Sequence, residues 1–180
     1  MTESFEPLWK TPTRSQAVEI LTTCRSWTDS MTATLSDAQM VAPTSLGDGT
    51  WSVKDLLGHL AAWETRGLEL LEERPKAKGR LFVHADEFNA YNLSLRRGWS
   101  LERTRRDYDS VRTQLVQAIE EMDDERWLAK VETSSGRSAR ALVLAKLLTG
   151  GRYGYLAHDF AHRGDLERSV KSLRSQGGQC

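Results

Sequence analysis

Apolar residues in this chain recur at steps of three and four, and no run alternates apolar with polar residues for long enough to make a strand. That periodicity confines the chain to helices that each bury one stripe against the others. Ala17, Val18, Ile20, Leu21, Cys24, Trp27, Met31 and Leu35 form the first stripe. It follows Thr11-Pro12, an N-cap residue and a proline placed where a missing N–H is harmless. The first helix is expected from about Pro12 to Leu35. Val53, Leu56, Leu57, Leu60, Trp63, Gly67, Leu68 and Leu71 form the second stripe. Ser52 and Asp55 have the spacing of a capping box, and Trp51 with Leu56 that of a hydrophobic staple. This helix should end near Glu73, because Pro75 cannot continue it.

Ser100 is suited to cap a third long helix carrying Leu101, Tyr108, Val111, Leu115, Ala118, Ile119 and Met122. A turn is expected at Asp123 to Trp127, then an irregular or extended piece to Gly136. A fourth helix should run from near Ser138 to about Val170, with Gly150, Gly151 and Gly154 as points for a kink. Residues 75–98 form a long connection between the second and third helices and hold a shorter helical stretch from Asp86 to Arg97. The expected fold is all-α, a four-helix bundle in a single domain over residues 1–180. An irregular arm (residues 1–11), pinned by Phe5, Leu8 and Trp9, and a flexible polar tail (residues 172–180) complete it.

Of four histidines, His158 and His162 stand four residues apart in the fourth helix. Their rings leave one face with Cβ atoms roughly 5–6 Å apart, near enough for two nitrogens to reach one metal ion. One solvated and one packed imidazole is the plainer reading of that spacing alone. His59 lies roughly 10 Å into the second helix, and His162 roughly 12 Å from the end of the fourth, at 1.5 Å per residue. Those depths agree if the two helices are antiparallel neighbours. An up-down-up-down bundle would make them parallel. An up-down-down-up bundle makes them antiparallel and needs one long crossover between helices two and three, which residues 75–98 supply. The expected metal ligands are His59, His158 and His162.

Three neutral imidazoles leave a divalent ion its charge and an open position, where water becomes more acidic or a thiol ionises. Tyr155 and Glu64 are the candidate catalytic side chains. Tyr155, one turn before His158, would orient substrate or simply close the bundle. Glu64, near the face of His59, would accept a histidine N–H or act as general base, with a solvated position as the plain alternative. Asp55 is expected to cap, Asp159 to pair with Arg163, and Asn89 and Asn92 to be solvated or capping. His84 should be solvated. Trp51 and Trp63 should be core, Trp63 with the option of walling a pocket.

Lys+Arg and Asp+Glu number 25 each, so the formal net charge is zero. With no basic block to track phosphates, nucleic acid is not an expected partner. No run approaches the ~20 apolar residues of a membrane span, and Met1 to Glu6 has no export-signal character. Cys24 and Cys180 make no disulfide framework; Cys24 should be packing and Cys180 an end residue. A cytoplasmic protein with a small-molecule substrate is expected, and monomer and homodimer both stay open.

The segment Trp51-Ser52-Val53-Lys54-Asp55-Leu56-Leu57-Gly58-His59-Leu60-Ala61-Ala62-Trp63-Glu64, with His158-x-x-x-His162, resembles the DinB/YfiT-like superfamily of metal-dependent proteins. The resemblance implies an up-down-down-up bundle and a zinc, nickel or iron-type ion held by His59, His158 and His162. The superfamily includes S-transferases using bacillithiol or mycothiol, maleylpyruvate isomerase-like proteins and self-resistance proteins resembling ClbS. A separate C-terminal domain of some mycothiol-dependent members is not expected here. The implied function is metal-dependent addition of water or a low-molecular-weight thiol to a reactive electrophile, in detoxification or self-resistance. Two other readings are a non-catalytic resistance protein that sequesters a small molecule and a plain helical interaction domain.

Overall fold

The computed structural model describes residues 11–47, 49–72, 84–133, 136–149 and 157–177. In chain order these hold α1 (Arg14–Thr32), α2 (Asp37–Val41), β1 (Pro43–Leu46), β2 (Trp51–Ser52), α3 (Val53–Leu71) and α4 (Ala85–Arg96). They continue with α5 (Leu101–Glu121), α6 (Asp124–Leu128), β3 (Lys130–Thr133), β4 (Gly136–Ala139), α7 (Arg140–Thr149) and α8 (His158–Gly177).

Caps set where the long helices begin. Ser52 and Asp55 close the expected box on α3: the Asp55 N–H donates to Ser52 Oγ at 3.1 Å, and the Ser52 N–H to Asp55 Oδ2 at 2.9 Å. Ser100 caps α5 through the Arg103 N–H at 3.2 Å. α1 starts later than Thr11-Pro12 suggested. Thr13 and Gln16 form a reciprocal box there, with bonds of 3.2 and 2.9 Å, satisfying two orphan N–H groups that Thr11 would leave open.

Side-chain pairings fix the path. Gly58, Glu64 and Gly67 of α3 meet Thr104, Arg112 and Leu115 of α5 in rising order, so these helices are parallel. α1 runs against α5: Arg14 donates to the Glu120 carbonyl at 3.0 Å and Arg25 to the Tyr108 carbonyl at 3.0 Å. Leu144 and Leu148 of α7 lie over Gly67, while His158 and His162 of α8 lie over His59. The α7–α8 pair therefore descends along α3 in the opposite sense. This is the expected up-down-down-up bundle. Residues 73–83, the first part of the crossover, lie outside the described residues.

Two buried apolar groups fill the bundle. One centres on Leu21, Leu115, Ile119, Trp127, Leu144 and Leu148; the other on Met40, Leu46, Leu56, Leu60, Tyr108 and Leu166. The Trp127 indole N–H donates to the Pro12 carbonyl at 2.7 Å.

Four expectations need correction. Two antiparallel hairpins, β1–β2 and β3–β4, are present although no strand pattern is visible; strands of two to four residues cannot display alternation. The turn at Asp123 is instead the start of α6, capped by Asp123 through the Arg126 N–H at 2.7 Å. The fourth helix is two helices. Leu148 of α7 and His158 of α8 touch at 2.5 Å, where ten residues of straight helix would span about 15 Å. The tail expected from residue 172 is helical to Gly177. Gly150, Gly151 and Gly154, the anchors Phe5, Leu8 and Trp9, and Cys180 lie outside the described residues. No helix among the described residues is long and apolar enough to cross a membrane.

At Gly67 the side chains of α7 lie directly over α3: a Cβ there would stand 2.9 Å from Leu144 Cδ1 and 3.5 Å from Leu148 Cδ2. Valine would gain a few tenths of a kcal/mol in helix propensity, about 0.4 kcal/mol. Overpacking costs about 1–3 kcal/mol and should win. Gly67→Val is expected to lower the urea midpoint with an unchanged m-value; an unchanged midpoint would mean that α7 yields freely.

Candidate metal centre

His59 leaves α3 within its second turn, and α8 begins with His158. Their Nε2 atoms are 2.8 Å apart, and each is 3.2 Å from Nε2 of His162. The structure thus brings together all three histidines expected to be ligands, with the same ring nitrogen of each turned inward. His59 and His158 are buried and His162 is half-buried. The ring of Trp51 lies 5.1 Å from that of His59, and the ring of Trp63 lies 5.6 Å from His158. Trp63 therefore borders the centre. Its indole N–H donates to Asn89 Oδ1 at 3.0 Å, and its ring packs on Phe88 at 4.5 Å.

The donor chemistry fits a divalent ion. Leu148 lies in the last turn of α7, where carbonyls have no intrahelical partner. It accepts the Nδ1–H of His158 at 2.5 Å. A neutral imidazole with its proton on Nδ1 offers a lone pair at Nε2. Three inward nitrogens cannot all be satisfied by hydrogen bonds to one another, whereas one cation satisfies all three. Imidazole nitrogens at about 2.0–2.1 Å from a tetrahedral ion stand about 3.4 Å apart, close to the spacing seen.

Protonation agrees with that reading. Burial pushes His59 well below its ordinary range, and its two histidine neighbours push it further. Burial and His162 bring His158 down to about 4. Burial lowers His162 too, against the opposing pull of Asp165 and Asp159. All three rings are neutral at pH 7, as ligation requires.

Behind the histidines lies a buried ionic cluster. Arg112 of α5 donates from one terminal nitrogen to both Glu64 Oε1 of α3 and Asp159 Oδ2 of α8, and from the other to the Leu21 carbonyl of α1. Arg25 of α1 donates to Glu64 Oε2 at 3.4 Å, and its guanidinium stacks 3.2 Å over the Tyr108 ring. Asp159 Oδ1 also accepts from Thr28 Oγ1 at 3.0 Å and from the Tyr108 hydroxyl at 3.2 Å. Burial raises the Asp159 carboxyl, but Arg112 and Arg25 outweigh it and hold it below the ordinary range. Glu64, with no exposure at all, is raised by burial despite Arg112.

Several expectations resolve here. Asp159 does not pair with Arg163; Arg163 binds Glu167 at 2.9 Å. Both Glu64 oxygens are held by guanidinium groups, and no hydrogen bond joins Glu64 to the three histidines. Asn92 is buried rather than solvated, donating to the Phe88 carbonyl and accepting from Arg96. Asp55 caps, and His84 is exposed. Cys24 is buried, its thiol pushed up to about 12 by burial. Tyr155 lies outside the described residues. Sequence reading missed Arg112 and Arg25 altogether. A signal existed: Arg112 stands four after Tyr108 and three before Leu115, inside the apolar stripe, and Arg25 stands four after Leu21.

In the unfolded chain a histidine takes up a proton as pH falls through about 6.5; the folded rings stay neutral to lower pH. Below that point the unfolded state binds more protons. The metal-free protein should therefore lose stability as pH falls from 6.5 toward 4, by up to about 1.4 kcal/mol per unit per histidine. Urea unfolding at pH 7.5 and 5 should show a larger drop for the parent than for a variant with the three histidines changed to glutamine; equal drops would refute the shifts.

Residues 21–149 match the mycothiol maleylpyruvate isomerase N-terminal domain family. Among solved structures, an uncharacterised protein from Escherichia coli UTI89 is similar with a TM-score of 0.68 at 13% identity, over 90% of this chain and 95% of that one. The mycothiol-dependent maleylpyruvate isomerase gives 0.57 at 14% identity, over 90% of this chain and 68% of that one. The colibactin self-resistance protein ClbS, solved in complex with a dsDNA, gives 0.60 at 15% identity, over 95% and 99%. Among curated proteins, none matches the sequence. At such identities the structures show a shared fold, while the family match spans well over half of the chain. The chain belongs to the mycothiol maleylpyruvate isomerase N-terminal domain family, within the DinB/YfiT-like superfamily.

Proposed function

We propose that this protein is a metal-dependent enzyme that joins a low-molecular-weight thiol to a reactive small-molecule electrophile, with His59, His158 and His162 as the ligands of the ion. The observation that carries this reading is the convergence of the Nε2 atoms of three neutral imidazoles within 3.2 Å, that of His158 held free of its proton by the Leu148 carbonyl. A divalent ion on three neutral imidazoles keeps its charge and favours the ionised form of a thiol or water bound beside them. The thiol is preferred over water because the matched family is described by mycothiol.

The chain's own residues do the rest. The Leu148 carbonyl orients His158 and raises its basicity, the usual task of an outer acceptor. Trp63 and Trp51 border the histidines with apolar surface, which strengthens electrostatic interactions at the centre. Tyr155, three residues ahead of His158, is the side chain we assign to substrate orientation. The guanidinium partners of Glu64 support a packing role for that carboxylate over proton transfer.

A second reading is a resistance protein that binds its small molecule without turnover. The near full-length likeness to ClbS, 95% of this chain and 99% of that one, favours it. Net zero charge supports a small molecule over DNA as the partner in either reading.

Elemental mass spectrometry of untagged protein is the test of the ligands. Near one equivalent of metal is expected in the parent and none in a folded variant with His59, His158 and His162 changed to alanine; negligible metal in both would sink the assignment. Thiol-dependent turnover that chelation abolishes and metal restores is the enzyme's signature, and stoichiometric small-molecule binding without turnover is the resistance protein's.

A further inference from the structure

A buried ion group is often no more stabilising than apolar residues of similar volume, and its best-attested benefit is a unique arrangement. What this cluster arranges can be read from its members. Asp159 directly follows His158, the first residue of α8. Glu64 lies five residues after His59 on α3, about 7.5 Å along the helix axis. Both carboxylates are bound by a single terminal nitrogen of Arg112.

We infer that Arg112 is the positioning residue of the histidine centre: its guanidinium holds Glu64 and Asp159 together and so sets the helix carrying His59 against the helix carrying His158 and His162. The guanidinium cannot shift with either partner, because its other terminal nitrogen is tied to the Leu21 carbonyl of α1. Four helices therefore meet at one planar group. Without it, only Arg25, bonded to Glu64 and not to Asp159, would stand against two buried carboxylates, with Thr28 and Tyr108 left to hold Asp159, and α8 would lose its ionic tie to α3. A lysine keeps the charge but lacks the fork that reaches three acceptors. The geometric claim stands on these contacts; its consequence for metal rests on the reading of the histidines as ligands.

The test uses Arg112→Lys, a neutralised variant (Arg112→Met with Glu64→Gln and Asp159→Asn), and Leu115→Ala as a control. Leu115 is a fully buried apolar residue of the same helix, outside the cluster. The neutralised variant removes Arg112 and both carboxylates together, leaves Arg25 its 3.4 Å pair with Asp109, and covers the case in which Arg112→Lys does not fold. Imidazole nitrogen NMR of the metal-free proteins reads the ring arrangement. The parent and the control should show His158 as a single Nδ1–H tautomer, and the Arg112 variants an averaged one. Cobalt titration with visible absorption reads the centre: affinity should fall roughly 10–100-fold in the Arg112 variants, with altered bands, while the control stays near the parent whatever its loss in Tm.

Parent-like tautomer and cobalt affinity in the folded Arg112 variants would overturn the inference. So would an equal loss in the control, which would make the effect one of general stability. A parent that binds no cobalt would remove the metal reading alone, and the imidazole spectra would still decide the role of Arg112.

Discussion

Two carboxylates, Glu64 and Asp159, sit inside the bundle with almost no exposure, and the arrangement around them follows from the need to balance their charge. Taking such a group out of water costs several kcal/mol even after relaxation. Arg112 and Arg25 offset that cost only in the one arrangement where their nitrogens reach the carboxylate oxygens. Apolar stripes are more permissive, since a leucine shifted by a turn still finds apolar neighbours. The ionic contacts among α1, α3, α5 and α8 remove that freedom, so the register of the bundle is set by charge and its bulk stability by the surrounding core.

The two polar layers have different relations to solvent. In the ionic layer, two buried guanidinium groups face two buried carboxylates, so it is close to neutral and has little exposure. The histidine layer is neutral as well, but its members are not equally covered: the His162 side chain keeps 28% of its exposure while His59 and His158 are buried. Of the three rings, that of His162 has the most solvent exposure among the described residues. Glu64 and Asp159 lie on the dry side, occupied by guanidinium groups, and are poorly placed to exchange protons with a ligand; the acidic group beside the exposed ring is Asp165, its Oδ2 3.9 Å from His162 Nδ1.

Much of this was legible in the sequence because the deciding signals are local. A stripe at steps of three and four, the Ser52–Asp55 box and the His158–His162 spacing each depend on residues within a turn or two. His59 could be added because helix length and connection length convert directly into depth along the bundle. The ionic cluster could not be reached that way. Its contacts span 39 to 131 positions, and charged residues on a helix such as α5 read by default as a solvated face. The mistaken pairing of Asp159 with Arg163 has the same origin, a local partner preferred over one 47 positions away. The division of the fourth helix was hidden for another reason. Glycines permit a break without requiring one, and the 2.5 Å contact between Leu148 and His158 is visible only in three dimensions.

That contact gives the break a chemical consequence. In an uninterrupted helix the Leu148 carbonyl would be consumed by the N–H four residues on; in the last turn of α7 it accepts the Nδ1–H of His158, which turns the Nε2 lone pair toward its neighbours. The family match covers residues 21–149, and so includes His59 and Leu148 but neither His158 nor His162. The centre is thus assembled from the part that the family match covers, which supplies one histidine and the orienting carbonyl, and from α8, which supplies the other two histidines. Such a composite site can be no better ordered than the docking of α8, whose first turn is held through Asp159 by Thr28, Tyr108 and Arg112 and through His158 by the Leu148 carbonyl.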